Sequence, residues 1–253
     1  MSVGTGGEEV KHDYYPPGIK GIDGDYTAAL AGNPNTGKST VFNALTGLNQ
    51  HTGNWPGKTV TQARGYYRHR GKTAVIVDLP GTYSLSANSL EEEVARDFIC
   101  FAQPEVTVVM ADATCLERNL NLVLQILEIT PKVVVCLNLM DEAERKGLKL
   151  DVDQLADELG VPVVPTAAHI GRGIAELKDK IHSVAVSEIL PRPKPVTYSQ
   201  QLEEAIRQLE TSLQRVYTNG ISRRWIALRL LEGDHSVIEA IREYSLAEGK
   251  GAE

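Results

Sequence analysis

The chain has no long hydrophobic run. No apolar stretch approaches the ~18 residues that a membrane-spanning helix requires. Residues 1–25 also lack the apolar core of a secretory signal peptide. These two absences predict that the sequence is a soluble, cytoplasmic piece of protein.

Cysteine is scarce, with 3 residues in 253, and none of them shows C-x-x-C spacing. Cys100, Cys115 and Cys136 lie among apolar residues, so we expect reduced, buried thiols in a cytosolic setting. The 6 histidines and the cysteines show no metal-ligand spacing. Nothing in the sequence therefore supports direct binding of iron by this chain.

Basic residues are not in excess, because 26 Lys and Arg stand against 33 Asp and Glu, a formal net charge of −7. A nucleic-acid-binding surface needs clustered Lys and Arg, so the composition predicts no nucleic-acid partner. The hydrophobic fraction of 42 % is ordinary for a globular protein. The length suggests one large domain and one small one.

Apolar, β-rich runs alternate with helical stretches from Tyr26 onward. We predict strands over residues 28–31, 59–67, 73–78, 105–110, 132–137 and 161–164, with a turn at Arg70-Gly71. We predict helices from residue 41 and over 89–101, 116–129, 151–159 and 174–186, and a loop over 47–58. This alternation is typical of the α/β class, a mostly parallel sheet with helices on both faces.

A proline-rich segment interrupts that pattern. Proline at every second position from Pro191 to Pro195 predicts a stiff, extended linker. Beyond it, a stripe of apolar residues at helical spacing predicts a small all-helical unit, and its members are Leu202, Ile206, Leu209, Leu213 and Val216. The predicted units are a flexible extension over 1–25, an α/β domain over 26–190, the linker over 191–197 and a helical domain over 198–253.

The most informative stretch is Gly32-Asn-Pro-Asn-Thr-Gly37-Lys38-Ser39, which matches G-x-x-x-x-G-K-[ST] between a predicted strand and a predicted helix. The glycines allow a tight turn whose N–H groups point at phosphate oxygens. Lys38 supplies an ammonium for the terminal phosphates and Ser39 a hydroxyl for Mg²⁺. A corner that uses glycine only for sterics is the alternative, but the context favours a nucleoside-triphosphate site.

Further motifs follow at the ends of later predicted strands. Asp78-Leu-Pro-Gly81 fits D-x-x-G, in which the carboxylate holds a Mg²⁺-bound water and the glycine senses a γ-phosphate. Asn138-Leu139-Met-Asp141 has the spacing of N-K-x-D, whose Asp accepts from two guanine donors that adenine lacks. Thr166-Ala167-Ala168 stands where GTPases place a backbone N–H near guanine O6. Ligands bind at this edge of such sheets, so the ordered motifs predict a GTP site.

Together these stretches resemble the cytosolic G domain of the ferrous iron transport protein B (FeoB) family. The segments that carry the resemblance are 32–40, Gly53-Asn-Trp-Pro-Gly57 with Thr59, 78–84 and 138–141. Residues 223–232 resemble the family's helical domain, which is regarded as a nucleotide-dissociation-inhibitor module. The resemblance implies a Ras-like P-loop GTPase fold at the cytoplasmic face of a bacterial or archaeal membrane. It also implies partners: guanine nucleotide, a following transmembrane permease portion and small cytosolic iron-transport regulators.

The resemblance implies roles for individual residues. GTP or GDP would contact Gly32, Asn33, Pro34, Asn35, Thr36, Gly37, Lys38, Ser39, Thr40, Gly57, Thr59, Asp78, Gly81, Asn138, Leu139, Asp141, Thr166, Ala167 and Ala168. Catalysis would involve Lys38, Asn35, Thr59 and Gly81. Mg²⁺ would be held by Ser39, Thr59 and Asp78, and an activating K⁺ by Asn35 with backbone carbonyls near Gly53 and Trp55.

Residues 54–56 would lie in switch I, the loop that γ-phosphate orders, and Thr59 would be its Mg²⁺-binding threonine. A tryptophan that only anchors an ordinary loop is the alternative for Trp55. The sequence also departs from related patterns. Thr82 replaces the glutamine that Ras-type GTPases carry after D-x-x-G, Leu139 replaces the usual lysine, and Lys58 stands where the family commonly has an apolar residue.

The leading hypothesis is a slow, K⁺-stimulated GTPase whose switch loops report nucleotide state to a transporter pore. One alternative is another bacterial GTPase acting in ribosome or tRNA biology. The acidic helical tail argues against it, since that class normally appends a basic RNA-binding domain. The other alternative is a nucleotide-gated binding module in which hydrolysis is incidental.

Overall fold

A computed structural model of the chain describes residues 24–48, 50–55, 58–86, 89–214 and 220–247. The predicted flexible extension over 1–25 lies almost wholly outside these ranges. Within them, no helix combines the length and the apolarity needed to cross a bilayer.

One sheet of seven strands organises the α/β part, in the order β2-β3-β4-β1-β5-β6-β7. The strands are β1 (Tyr26–Gly32), β2 (Gln50–Asn54), β3 (Thr61–His69), β4 (Lys72–Asp78), β5 (Val106–Asp112), β6 (Val133–Asn138) and β7 (Val163–Pro165). β1 pairs in parallel with β4 and β5, and β5, β6 and β7 continue in parallel. β3 runs antiparallel to both of its neighbours, β2 and β4. The predicted mostly parallel sheet is confirmed.

The predicted loop over 47–58 is wrong in part, because β2 lies inside it. Gln50 stands opposite Gly65 and Asn54 opposite Thr61, in an antiparallel pair at the edge of the sheet. The run Gln-His-Thr-Gly-Asn has no apolar alternation that would indicate a strand. β2 exists because the exposed edge of β3 offers its backbone a hydrogen-bonding partner, which local sequence does not reveal.

The helices of the α/β part are α1 (Lys38–Thr46), α2 (Leu90–Asp97), α3 (Leu116–Ile129), α4 (Met140–Arg145), α5 (Val152–Leu159) and α6 (Ile174–Ala185). α2 begins after Ser89, whose hydroxyl accepts from the N–H of Glu92. The predicted helix over 89–101 changes to π-helical geometry at Phe98–Ala102. α4 was not predicted, because six residues after a strand carry too little periodicity.

Strand alternation gives the sheet two apolar faces. The first face, with Ala28, Leu30 and Ile76, is covered by α1 and α6. The second face, with Ala29, Ala31 and Val77, is covered by α2, the π-helical turn, α3 and α5. Cys100 and Cys136 are buried, and burial raises the pKa of the Cys136 thiol to about 12. The prediction that all the thiols are buried is wrong for Cys115, which is exposed just before α3.

Residues 190–199 contain no helix or strand and lead to α7 (Gln200–Leu213), α8 (Arg223–Leu231) and α9 (His235–Ala247). α7 and α8 pack through Ile206, Ala227 and Leu228. The opposite side of α8 joins the layer on the second face of the sheet through Trp225 and Ile226. The helical part therefore continues the core of that face.

Candidate nucleotide-binding site

The topology brings the predicted motifs to one edge of the sheet. Gly32 ends β1, Asp78 ends β4 and Asn138 ends β6, while Thr166 follows the last residue of β7. These strands are parallel, so their carboxyl ends open on the same side, where open α/β sheets bind ligands.

The loop between β1 and α1 depends on its glycines. Gly37 has φ 80°, and a Cβ at this position would lie 2.4 Å from the Asn138 side-chain nitrogen. A Cβ at Gly32 would lie 2.6 Å from the Cβ of Met110. Asn35 also has a positive φ, of 67°, a conformation that Asn tolerates better than most residues. Pro34, Asn35, Ser39 and Thr40 are exposed on this loop.

Lys38 and Asp78 form an ion pair across the loop. The Lys38 Nζ lies 2.5 Å from Asp78 Oδ1, and the side chains are only 13 % and 17 % exposed. Burial raises the pKa of Asp78, and the neighbouring Lys38 ammonium opposes that rise. The pair keeps an ammonium and a carboxylate together at the start of α1, where phosphate and Mg²⁺ would compete for them.

Asn138 ties three segments together. Its Nδ2 donates to the Thr36 carbonyl at 3.0 Å, and its Oδ1 accepts from Thr166 Oγ1 at 3.0 Å and from the Ala168 N–H at 3.1 Å. The amide is therefore engaged with the phosphate loop and with the loop after β7. Its role in this arrangement is to hold those loops together.

Asp141 differs from Asn138, because one of its side-chain oxygens accepts no hydrogen bond from the described residues. Oδ1 is buried and has no hydrogen-bond partner among the described residues. Asp141 lies in the first turn of α4, which follows Leu139 in a left-handed conformation with φ 62°. A buried acceptor without a donor is costly, and a guanine base offers two adjacent N–H donors. The residues present therefore fit a guanine nucleotide.

The segment after Asp78 is held by the neighbouring elements. The Thr82 N–H donates to the Gly32 carbonyl at 3.2 Å, and a Cβ at Gly81 would lie 3.5 Å from the Pro34 ring. The Leu85 N–H donates to Gln125 of α3 at 2.7 Å. Arg118 of α3 stacks over the Tyr83 ring at 4.4 Å. Movement of this segment would therefore break or shift its contacts with α3.

Trp55 is an anchor in this structure. Its ring is 5 % exposed and meets Phe98 edge-on, with ring centroids 5.5 Å apart. The Trp55 backbone N–H donates to the Val60 carbonyl, and the Trp55 backbone carbonyl accepts from the Lys58 N–H. Thr59 is exposed beside this turn. Of the other residues predicted for switch I, Gly53 lies in β2 and is exposed, whereas Pro56 and Gly57 lie outside the described residues.

The loop after β7 contacts α4 through His169 and Arg172, which belong to none of the predicted motifs. Arg172 binds Glu144 with both terminal nitrogens, at 2.8 and 3.2 Å, and His169 faces Asp141. No short motif announces either contact. The sequence indicates them only through position, because Glu144 follows the predicted guanine motif that ends at Asp141, and His169 and Arg172 follow the segment 166–168.

Comparisons with known proteins identify the family of the chain. A family model described as ferrous iron transport protein B matches residues 26–181, and a model of the FeoB cytosolic helical domain matches residues 198–251. The chain belongs to the FeoB family. Its fold is the P-loop GTPase fold of FeoB followed by a helical domain.

Relatives and solved structures extend the family match. The Fe(2+) transporter FeoB of Escherichia coli K12 is 41 % identical over 216 residues, which are 82 % of this chain and 27 % of that protein. The chain thus spans about a quarter of the length of that FeoB relative. The cytosolic domain of T. maritima FeoB in a GDP form is 37 % identical with a TM-score of 0.81, covering 87 % of this chain and 86 % of that chain. The cytosolic domain of L. pneumophila FeoB is 34 % identical with a TM-score of 0.75, covering 87 % and 98 %.

Proposed function

We propose that the chain is the GTP-binding, slowly GTP-hydrolysing cytosolic part of a ferrous iron transporter. The observation that carries the proposal is Asp141 Oδ1, which is buried without a hydrogen-bond partner among the described residues, on the helix that follows Asn138 and its contact with the phosphate loop. Solved FeoB cytosolic domains in GDP and GMPPNP forms support guanine nucleotide as the ligand.

The phosphates would be bound by the chain's own groups at the start of α1. Lys38 would transfer its Nζ contact from Asp78 to phosphate oxygens, while the N–H groups of the loop donate to the same oxygens. Mg²⁺ held by Ser39, Thr59 and the released Asp78 carboxylate would supply positive charge to the phosphates. Asp141 would accept from the base.

Hydrolysis would be slow because, in the described segment after Asp78, the position of the Ras-type glutamine offers no side chain to orient the attacking water. Thr82, at the position of the Ras-type glutamine, is 5 % exposed and its N–H already binds Gly32. Backbone groups would have to position the water. Asn35, exposed on the phosphate loop, would help to bind a K⁺ whose charge stabilises the transition state, together with carbonyls near Gly53 and Trp55.

The remainder of a FeoB protein would respond to these changes. The chain matches 27 % of the E. coli relative, so a transmembrane permease portion would follow it and place it at the cytoplasmic face of the membrane. Small cytosolic iron-transport regulators would be further partners. The helical part would tune nucleotide release, since its core is continuous with the face of the sheet that carries α2 and α3.

The test of base recognition uses Asp141→Ala and the binding of fluorescent GDP and ADP to the 253-residue chain. We expect the wild-type protein to prefer GDP, and the variant to lose about ten- to a hundredfold in GDP affinity, as for a lost hydrogen bond to a charged group. ADP binding should not change. Tighter binding of ADP than GDP by the wild type would overturn the guanine assignment.

The test of turnover measures GTP hydrolysis with Mg²⁺ in K⁺ and in Na⁺ at equal ionic strength. We expect K⁺ to stimulate the wild type and the stimulation to vanish in Asn35→Ala. Asn121→Ala, an exposed change on α3, serves as the matched control. Equal rates in both salts would remove Asn35 and K⁺ from the mechanism. Nucleotide binding without measurable turnover would favour a nucleotide-gated binding module.

A further inference from the structure

The loop after β7 is a closed unit that presents His169. Ala167 and Arg172 exchange two backbone hydrogen bonds, at 3.1 and 3.2 Å, around the 3₁₀ turn Ala168–Ile170. His169 lies within that turn, and its side chain is 53 % exposed. The bridge determines where the turn points, so the position of His169 is set by backbone contacts.

The same loop is clamped to α4, which carries Asp141. Arg172 binds Glu144 bidentately, and the Met140 N–H donates to the Thr166 carbonyl at 3.1 Å. From the other side, the Ala168 N–H donates to Asn138 Oδ1. The separation between His169 and Asp141 therefore follows from contacts that do not involve either side chain.

The two oxygens of Asp141 stand in different surroundings. Oδ2 lies 3.6 Å from His169 Nε2 and 3.8 Å from an Arg145 nitrogen. Oδ1 is buried without a hydrogen-bond partner among the described residues. A separation of 3.6 Å is longer than a hydrogen bond, so the contact restrains the carboxylate through charge in the protonated form of the imidazole.

Guanine can donate two hydrogen bonds to this carboxylate, whereas hypoxanthine can donate one. Guanine presents the ring N1–H and the exocyclic amine side by side, and both oxygens must lie near the plane of the base to accept them. Hypoxanthine has the N1–H but no amine, so one oxygen is sufficient. Any group that restrains rotation of the Asp141 carboxylate favours guanine over hypoxanthine.

We propose that His169 is a specificity-determining positioning residue, which holds Asp141 Oδ2 so that the carboxylate meets the N1–H and the amine of guanine together. This inference rests on the proposed guanine-nucleotide function. Arg145 cannot take the same role, because it is 72 % exposed, is shared with Glu142 and extends from the same helix as Asp141. His169 approaches from the loop that contributes Ala168 to the site.

The experiment compares the dissociation constants of GDP, IDP and ADP for the 253-residue chain and its variants. In His169→Ala we expect GDP to bind about three- to fivefold more weakly, the range of a half-exposed ion pair, and IDP to bind as in the wild type. His169→Phe keeps a ring without nitrogen, and we expect it to behave like the alanine variant. His169→Lys should retain the GDP/IDP ratio.

Arg145→Ala is the matched control, and we expect it to leave the GDP/IDP ratio unchanged. Equal weakening of GDP and IDP in His169→Ala, or full retention in His169→Phe, would overturn the inference in favour of ring packing. An equal shift in Arg145→Ala would show a general charge effect and would also overturn it. A wild type that does not prefer GDP to ADP would refute the proposed function itself. A GDP-selective wild type whose GDP/IDP ratio is unaltered in His169→Ala would refute only the role of His169.

Discussion

The two faces of the sheet differ in which part of the chain covers them. The first face, under α1 and α6, is closed by helices that belong to the α/β part alone. The second face, under α2, α3 and α5, continues through Trp225 and Ile226 into the helical part. The phosphate loop leads into the first face, whereas the segment after Asp78 and the turn at Trp55 contact the second. Under the proposed function, contact with the phosphates would belong to the first face and the response of these two segments to the second.

Buried polar groups also differ between the two faces in the parts of the chain that they connect. On the second face Arg96 is 1 % exposed, donates to Asp97 and reaches Ser236 of α9 at 2.7 Å. On the first face His182 is 5 % exposed, and its Nδ1 has no partner among the described residues. The charge on the second face therefore joins the α/β part to the helical part, while the polar group on the first face meets the rings of Tyr26 and His69 within the α/β part.

The largest effect that would test this division is the loss of Arg96. Arg96→Met keeps the apolar stem but leaves Asp97 and Asp234 without their cation, so we expect a loss of about 3–5 kcal/mol in the free energy of unfolding. His182→Phe should cost less than about 1 kcal/mol, since no hydrogen bond to Nδ1 is lost. Urea unfolding of both variants measures the difference. Similar losses would show that the two faces are not distinguished by their buried polar groups.

A smaller effect concerns the ion pair between Lys58 and Glu93 of α2, whose atoms are 2.7 Å apart. Lys58 directly precedes Thr59, so the pair ties this turn to the second face. We expect Lys58→Met to speed GDP release by up to about fivefold, the upper range for a partly exposed pair. Stopped-flow release of fluorescent GDP measures the rate.

The matched control for that pair is Lys194→Met, because Lys194 and Glu158 form an exposed pair between the segment over 190–199 and α5, outside the turn at Trp55. We expect no change in GDP release there. A double exchange of Lys58→Glu with Glu93→Lys should restore the wild-type rate. Failure of that rescue, with both single variants altered, would assign the effect to another contact of Lys58.

The smallest effect lies in the helical part beside the linker. Hydrogen bonds from Arg224 and then from the Tyr198 N–H lower the pKa of Glu203 from 4.5 to about 2. A carboxyl whose pKa is lower in the folded state adds stability above its unfolded pKa and loses it as pH falls. Glu203→Gln should therefore reduce stability at pH 7, and its difference from the wild type should fade between pH 4.5 and pH 2.

Urea unfolding across that pH range measures this effect, with Glu204→Gln as the neighbouring exposed control. The location matters for the comparison, because the Tyr198 hydroxyl donates to Glu128 of α3 at 2.6 Å and so links the start of the helical part to the second face. A difference that does not change with pH would mean that Glu203 contributes through packing and not through its charge.

Much of the α/β part could be predicted from the sequence because its signals are local. The buried parallel strands read as continuous apolar runs, and residues 116–129 show a helical stripe that the structure reproduces as α3. The order of the motifs places Gly32, Asp78 and Asn138 at strand ends, so their convergence at one edge also followed from the sequence.

Other features depend on partners that are distant along the chain. β2 needed the edge of β3, and the wrong prediction for Cys115 arose because apolar neighbours in sequence did not cover it in space. The Asn138 cross-link joins residues 102 positions apart, and the Arg96 contact with Ser236 spans 140 positions. No pattern in a short window contains such pairs.

By itself the sequence determined that strands and helices alternate around a mostly parallel sheet, where the phosphate-loop motif starts and which carboxylate is predicted to meet guanine, because backbone propensity, apolar periodicity and glycine geometry act over a few residues. Only the tertiary structure decided that Asp141 faces His169 and keeps an oxygen without a partner in the described part of the chain, and that the helical part shares a core with the second face. Burial and electrostatic environment are properties of the packed chain, and they arise only when distant segments exclude water from one another.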